Sequence, residues 1–169
     1  DSDPLVGWTQ DALTSTPTDA VDDMELLGQR STGVDLLVVA RDTDLAIVAT
    51  TTTWYADWWT NAVYLNQTAL TAANPHPLHQ FLNLLLVADG NKLHTIEKNG
   101  VGSDSTENIV VASRIVLPKE YQIIWIEDDG FRVYLGTRHL KGGEALVFPW
   151  NGTDTTYDFP LTVNDSISL

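Results

Sequence analysis

The residues best equipped for chemistry in this chain are carboxylates and histidines. It carries 23 Asp and Glu and 4 His against 9 Lys and Arg, with no Cys. Thiolate and disulfide chemistry are therefore absent, and zinc would have only imidazole and carboxylate to bind. His76 and His79 stand three apart, a spacing that shares a metal only on a helix. Pro75 and Pro77 oppose that helix, and no acid close by in sequence completes a ligand set. Acids also gather at Asp42-Thr43-Asp44 and at Glu127-Asp128-Asp129-Gly130. Such clusters can hold Ca²⁺ weakly, but they read better as turn formers whose carboxylates bond their own backbone. No GxSxG elbow, HExxH pair or DxDxDG loop occurs. The glycines of Asn99 to Ser105 lack the GK[ST] and the following helix of a phosphate cradle. With so many acids, no glycosidase-type pair can be singled out. The expectation is a protein that is not an enzyme and carries no metal or cofactor.

Aromatics are the second kind of candidate. Trp54-Tyr55-Ala56-Asp57-Trp58-Trp59 is the densest aromatic stretch in the chain. Its rings, with Asp57 beside them, suit either a sugar-stacking or protein-docking platform or a layer packed between two sheets. Strand alternation would put large rings on both faces, which favours packing. Trp54, Tyr55, Asp57, Trp58, Trp59 and Trp150 are the binding or interface candidates. Asn66-Gln67-Thr68, Asn151-Gly152-Thr153 and Asn164-Asp165-Ser166 fit the glycosylation pattern, which matters only along a eukaryotic secretory route.

The elements that must position these residues are short strands joined by tight turns. Tyr121 to Glu127, Phe131 to Thr137 and Ala145 to Trp150 read as a three-stranded meander. Asp128-Asp129-Gly130 and Lys141-Gly142-Gly143 supply its turns. Strand, acidic turn, strand recurs at Val34 to Thr50 around Arg41-Asp42-Thr43, and at Leu84 to Ile96 around Asp89-Gly90-Asn91. The steps between these devices, roughly 48 and 39 residues, fall near the blade period of β-propellers. Ala62 to Leu65, Ile109 to Ala112, Arg114 to Leu117 and Thr156 to Val163 are further strand-like pieces. Asn66 to Gln80 reads as a linker. Residues 1–33 read as an N-terminal extended arm around Trp8, with a helical turn or two between Thr18 and Leu27. Residues 34–169 then form three repeats, 34–80, 81–120 and 121–169.

A net charge of −14 and a pI near 4.3 argue against nucleic acid and against anionic membrane surfaces. There is no apolar run long enough for a membrane-spanning helix. The sequence opens at Asp1 without Met or signal peptide, the mark of a processed product, an excised piece or a partial chain.

Three stretches carry a family resemblance. They are Tyr121-Gln122-Ile123-Ile124-Trp125-Ile126, Val133-Tyr134-Leu135-Gly136-Thr137 and Gly142-Gly143-Glu144-Ala145-Leu146-Val147-Phe148-Pro149-Trp150-Asn151-Gly152. Together they resemble propeller-like tail or virion structural proteins of tailed bacteriophages. Those proteins repeat an aromatic-x-IGT … GG-x-a-x-V-aromatic-x-WDG unit; Asn151 replaces the usual Asp. The resemblance covers about the last fifty residues well, the middle weakly and residues 1–33 not at all. It implies an all-β, propeller-like fold of about three blades and a structural role in a virion, an extracellular particle. The partners implied are other virion proteins or copies of the chain, and a host surface glycan. Three blades fall short of the four to eight that close a ring, so further chain or further copies would complete it. A lectin-like carbohydrate-binding propeller is the alternative, and a polysaccharide hydrolase the least supported reading.

Overall fold

The computed structural model describes residues 21–27, 36–50, 53–98 and 109–152. Among them the chain is all-β, with eleven strands, no helix and only antiparallel pairing. Sheet 1 is a meander of β1 (Val21–Leu27), β2 (Leu36–Arg41), β3 (Asp44–Thr50) and β4 (Thr53–Tyr55). Sheet 2 follows in the same way with β5 (Leu78–Phe81), β6 (Leu84–Asp89), β7 (Lys92–Lys98) and β8 (Ile109–Val116). Sheet 3 has β9 (Tyr121–Asp128), β10 (Val133–His139) and β11 (Val147–Trp150). Among the described residues no sheet closes on itself.

The acidic turns form where the sequence puts them. Asp42 sits at φ 27° and Gly90 at φ 62°, each reversing the chain between long apolar strands. Asx-type bonding builds the third turn. Asp128 Oδ1 accepts from the Gly130 amide (2.6 Å), and Asp129 Oδ1 accepts from the Phe131 and Arg132 amides (2.9 and 2.8 Å).

The three sheets stack face to face, with β1 against β5 and β5 against β9, so the first strands lie side by side. Two apolar cores result. The first joins Val38, Ala40, Leu45 and Ile47 of sheet 1 to Leu78, Leu85, Val87 and Ile96 of sheet 2. The second joins Leu84, Leu86, Ala88, Leu93 and Ile115 of sheet 2 to Ile123, Ile126, Val133, Leu135, Phe148 and Trp150 of sheet 3. Sheet 2 is thus covered on both faces, which explains the unbroken Leu84-Leu85-Leu86-Val87-Ala88 run.

Several expectations are corrected. Val21 to Leu27 is a strand rather than a helical turn, because its backbone pairs with β2 from Arg41 to Leu36. The extended arm therefore does not reach residue 33. Leu78 to Gln80, read as the end of the linker, belong with Phe81 to the first strand of sheet 2, so that sheet starts before residue 81. Residues 62–65 form turns instead of a strand. Ile109 to Val116 is one strand, and Phe131, expected to open the second strand of the meander, is 86% exposed in the turn before β10. Trp8, the Asn99–Ser105 loop and the strand expected at Thr156 to Val163 lie outside the described residues.

Candidate functional site

The structure draws the expected site residues apart. Trp58 and Trp59 are 0% and 2% exposed and belong to the first core. Their backbone is fixed by Asp44 at the start of β3. Its carboxylate accepts from the Trp59 amide at 2.9 Å and from the Thr60 hydroxyl at 2.5 Å. Burial lifts the Asp44 carboxyl above its ordinary value, and the bonds from Thr60 and Trp59 only partly oppose this. Trp59 also donates through Nε1 to the Thr68 carbonyl (2.7 Å) and meets His94 edge-on at 5.4 Å. His94, half-buried against that indole, has its pKa held down, first by desolvation. Tyr55 is half-buried against Tyr64, Asp57 is exposed, and Trp150 is buried in the second core. Trp54 pairs with Val48, and its side chain lies outside the described set. A platform of Trp58 and Trp59 open to a ligand is therefore overturned, because both indoles fill the space between sheets 1 and 2.

The residues that do converge are polar, and they gather where the first strands of the three sheets begin. A bulge at Asp22 interrupts the β1–β2 register, so Asp22 and Asp23 both turn toward sheet 2. Asp23 accepts from the Leu78 amide at 2.8 Å. Asp22 bonds His76 Nδ1 at 2.7 Å. The other ring nitrogen, Nε2, faces Asp89 at 3.7 Å, an ion-pair distance too long for a hydrogen bond. Asn74 then donates to Asp89 (2.7 Å) and accepts from Gln122 at the start of β9 (2.7 Å), and Arg138 donates to Gln122. One polar track thus runs from sheet 1 through sheet 2 to sheet 3. The imidazole of His76 is fully buried within it.

The electrostatics follow from that burial. Desolvation pulls His76 down, but the facing Asp89 carboxylate, the hydrogen bond to Asp22 and the charges of both acids more than reverse it, and its pKa is raised. Burial pushes Asp89 up, yet the facing His76 ring and the bonds from Asn74 and Thr71 hold it at about 2. His79 does not share this site. Its Nε2 meets Asp128 Oδ2 at 2.6 Å and ties β5 to the far end of β9. The two histidines serve separate sheet junctions, and no cluster among the described residues has the makings of a metal site. Of the turn acids, Asp128 and Asp129 are engaged by backbone amides, His79 or Tyr134, the last donating to Asp129 at 2.7 Å. Sequence reasoning missed Asp22 and Asp89 as the acids flanking His76, and Asp23 as the acceptor of the Leu78 amide, because they stand apart from them along the chain. The available signal was an apolar-flanked histidine between two prolines.

The outer faces of the stack form a second feature. On sheet 3, Trp125 lies over Gly136, where a Cβ would fall 1.7 Å from the indole. The register puts Trp125, Gly136 and Val147 in one row, with Glu127, Tyr134 and Pro149 in the next. A bulge at Ile124 leaves that side chain 38% exposed beside Trp125 at 40%. On sheet 1, Met24 and Leu26 are exposed on the face away from sheet 2. Comparison with protein-family models, with curated proteins and with solved structures found no match.

Proposed function

We propose that this protein is a structural assembly component that works through the faces of its stacked sheets, and that its setting is a viral particle of the tailed-phage kind. The observation that carries the assembly reading is the contrast between sheet 2, covered on both faces, and the apolar side chains left exposed on the other two sheets: Met24 and Leu26 on β1, in a row whose Val39 and Ala46 are buried, and Ile124 and Trp125 on β9. Within the chain, such faces are satisfied by another sheet. A propeller-like ring with adjacent first strands would extend the same packing. The virion setting is supported by the resemblance of Tyr121 to Gly152 alone. The carbohydrate-binding alternative drew on Trp58 and Trp59 as a platform, and their burial removes that support.

Light scattering after size exclusion tests the assembly reading, using the wild type and Trp125→Glu. A discrete oligomer that dissociates in the variant, with the far-ultraviolet spectrum unchanged, is the expected result. A wild type that stays monomeric at high concentration, or an oligomer indifferent to Trp125→Glu and Met24→Glu, refutes it. Peptide mass spectrometry of purified particles tests the setting, and absence of the chain from them defeats the virion reading.

A further inference from the structure

We propose that His76 is a proton-operated latch between sheets 1 and 2. The argument is one of donor counting. A neutral imidazole has one N–H, whereas the imidazolium has two. Asp22 lies 2.7 Å from Nδ1, and Asp89 lies 3.7 Å from Nε2 on the opposite side of a ring with no solvent exposure. The charged ring presents an N–H to both carboxylates. The neutral ring can serve only one, and turns a lone pair toward the other.

The carboxylates belong to different sheets: Asp22 to β1, and Asp89 to the end of β6. The charged groups at the ring are Asp22 from β1 and Asp89 from β6, with Asp23 bonded to the Leu78 amide beside them; Lys92 and His94 of β7 stand on the far side of Asp89, across the β6–β7 ladder. Arg138 of β10 joins through Gln122 and Asn74. Negative charge closest to the ring comes from two sides, so the cation is the form that the site holds.

The sign of the effect follows. A histidine whose pKa is raised on folding contributes stability that is complete below its unfolded value of 6.5 and is lost as pH rises through the folded value. Asp89, depressed to about 2 from 3.8, contributes above 3.8 and loses its contribution as pH falls toward 2. The junction is therefore fully tied between these limits, and its alkaline side belongs to His76. His94 acts oppositely: its lowered pKa withdraws stability as pH falls below 6.5. Global melting would mix the two, so the test must be local.

The probe is amide exchange by NMR, expressed as protection factors to remove the intrinsic base dependence, with ring-resonance titration of each histidine. The Leu78 amide, which donates to Asp23 across the junction, and the amides of β1 are the reporters. The expected result is a His76 midpoint above 6.5, with protection at Leu78 and β1 falling over the same interval. In His76→Gln, which cannot titrate, that fall disappears. A midpoint at or below 6.5, or the same fall in His76→Gln, overturns the latch. Should His76→Gln not fold, Asp89→Asn in the full chain decides. The His76 midpoint and the loss of protection must both move to lower pH, and an unmoved midpoint refutes the proposal.

Discussion

Gly136→Ala is the sharpest perturbation of the outer face of sheet 3. The added Cβ would sit 1.7, 2.1 and 2.3 Å from three indole atoms of Trp125, where ordinary contact begins at 3.4 Å. The ring must withdraw by well over an ångström or the β9–β10 ladder must deform. Overpacking of this kind costs about 1–3 kcal/mol. Two effects pull toward the lower end: the indole is already 40% exposed and can swing outward, and Ala restricts the unfolded chain by about 0.4–1 kcal/mol relative to Gly. The expected net loss is about 1 kcal/mol, or about 2–4 °C in melting temperature for a chain of this size. Urea denaturation followed by fluorescence measures it, together with a red shift of the component that Trp125→Phe removes. A double-mutant cycle supplies the control. In a Trp125→Ala background the same substitution should be neutral or stabilising, so the coupling should be about 1 kcal/mol. If Gly136→Ala is as costly without the indole as with it, the reasoning from the Trp125–Gly136 contact is wrong.

Other substitutions probe the first core and the turns. Trp58→Ala should lower stability by about 3–5 kcal/mol in denaturant titration, since the side chain is wholly enclosed. Asp44→Ala strips the carboxylate from the Trp59 amide and the Thr60 hydroxyl; because that amide also reaches the Leu45 carbonyl at 3.3 Å, the loss should be about 1–2 kcal/mol. The Tyr134 phenol is held above 10 chiefly by its bond to the Asp129 carboxylate. Asp129→Asn should bring its ionisation down toward 10 in a spectrophotometric pH titration, and an unchanged midpoint would deny the bond.

The three acidic turns were legible because Asp and Gly announce a reversal locally, and the strands around them follow from alternation or from apolar runs. What sequence could not show depends on distance. Val21 to Leu27 mixes Asp, Met, Glu and Leu without a clean period, since a bulge at Asp22 breaks the alternation. Leu78 to Phe81 is short and follows two prolines, and only its pairing with β6 makes it a strand. Trp58 and Trp59, interface candidates by aromatic density, are buried between sheets instead, the packing that the spread of rings over both strand faces favours. The bond of His76 to Asp22 spans 54 residues, and no local pattern encodes it.

The double burial of β6 has a consequence for alignment. Leu85 and Val87 fill one core while Leu84, Leu86 and Ala88 fill the other. In a strand with one wet face, sliding by a residue exposes every apolar side chain, and that penalty fixes the pairing. β6 has no wet face. A slip would merely exchange leucines between two equally dry compartments, so hydrophobicity alone discriminates poorly between the frames. The strand is pinned by its ends instead. Asp89 is grasped at one end by Asn74 and Thr71, and Asn83, just before the other end, reaches Glu97 across the ladder at 2.9 Å. In this protein the polar punctuation, rather than the oil between it, tells the central strand where to stop.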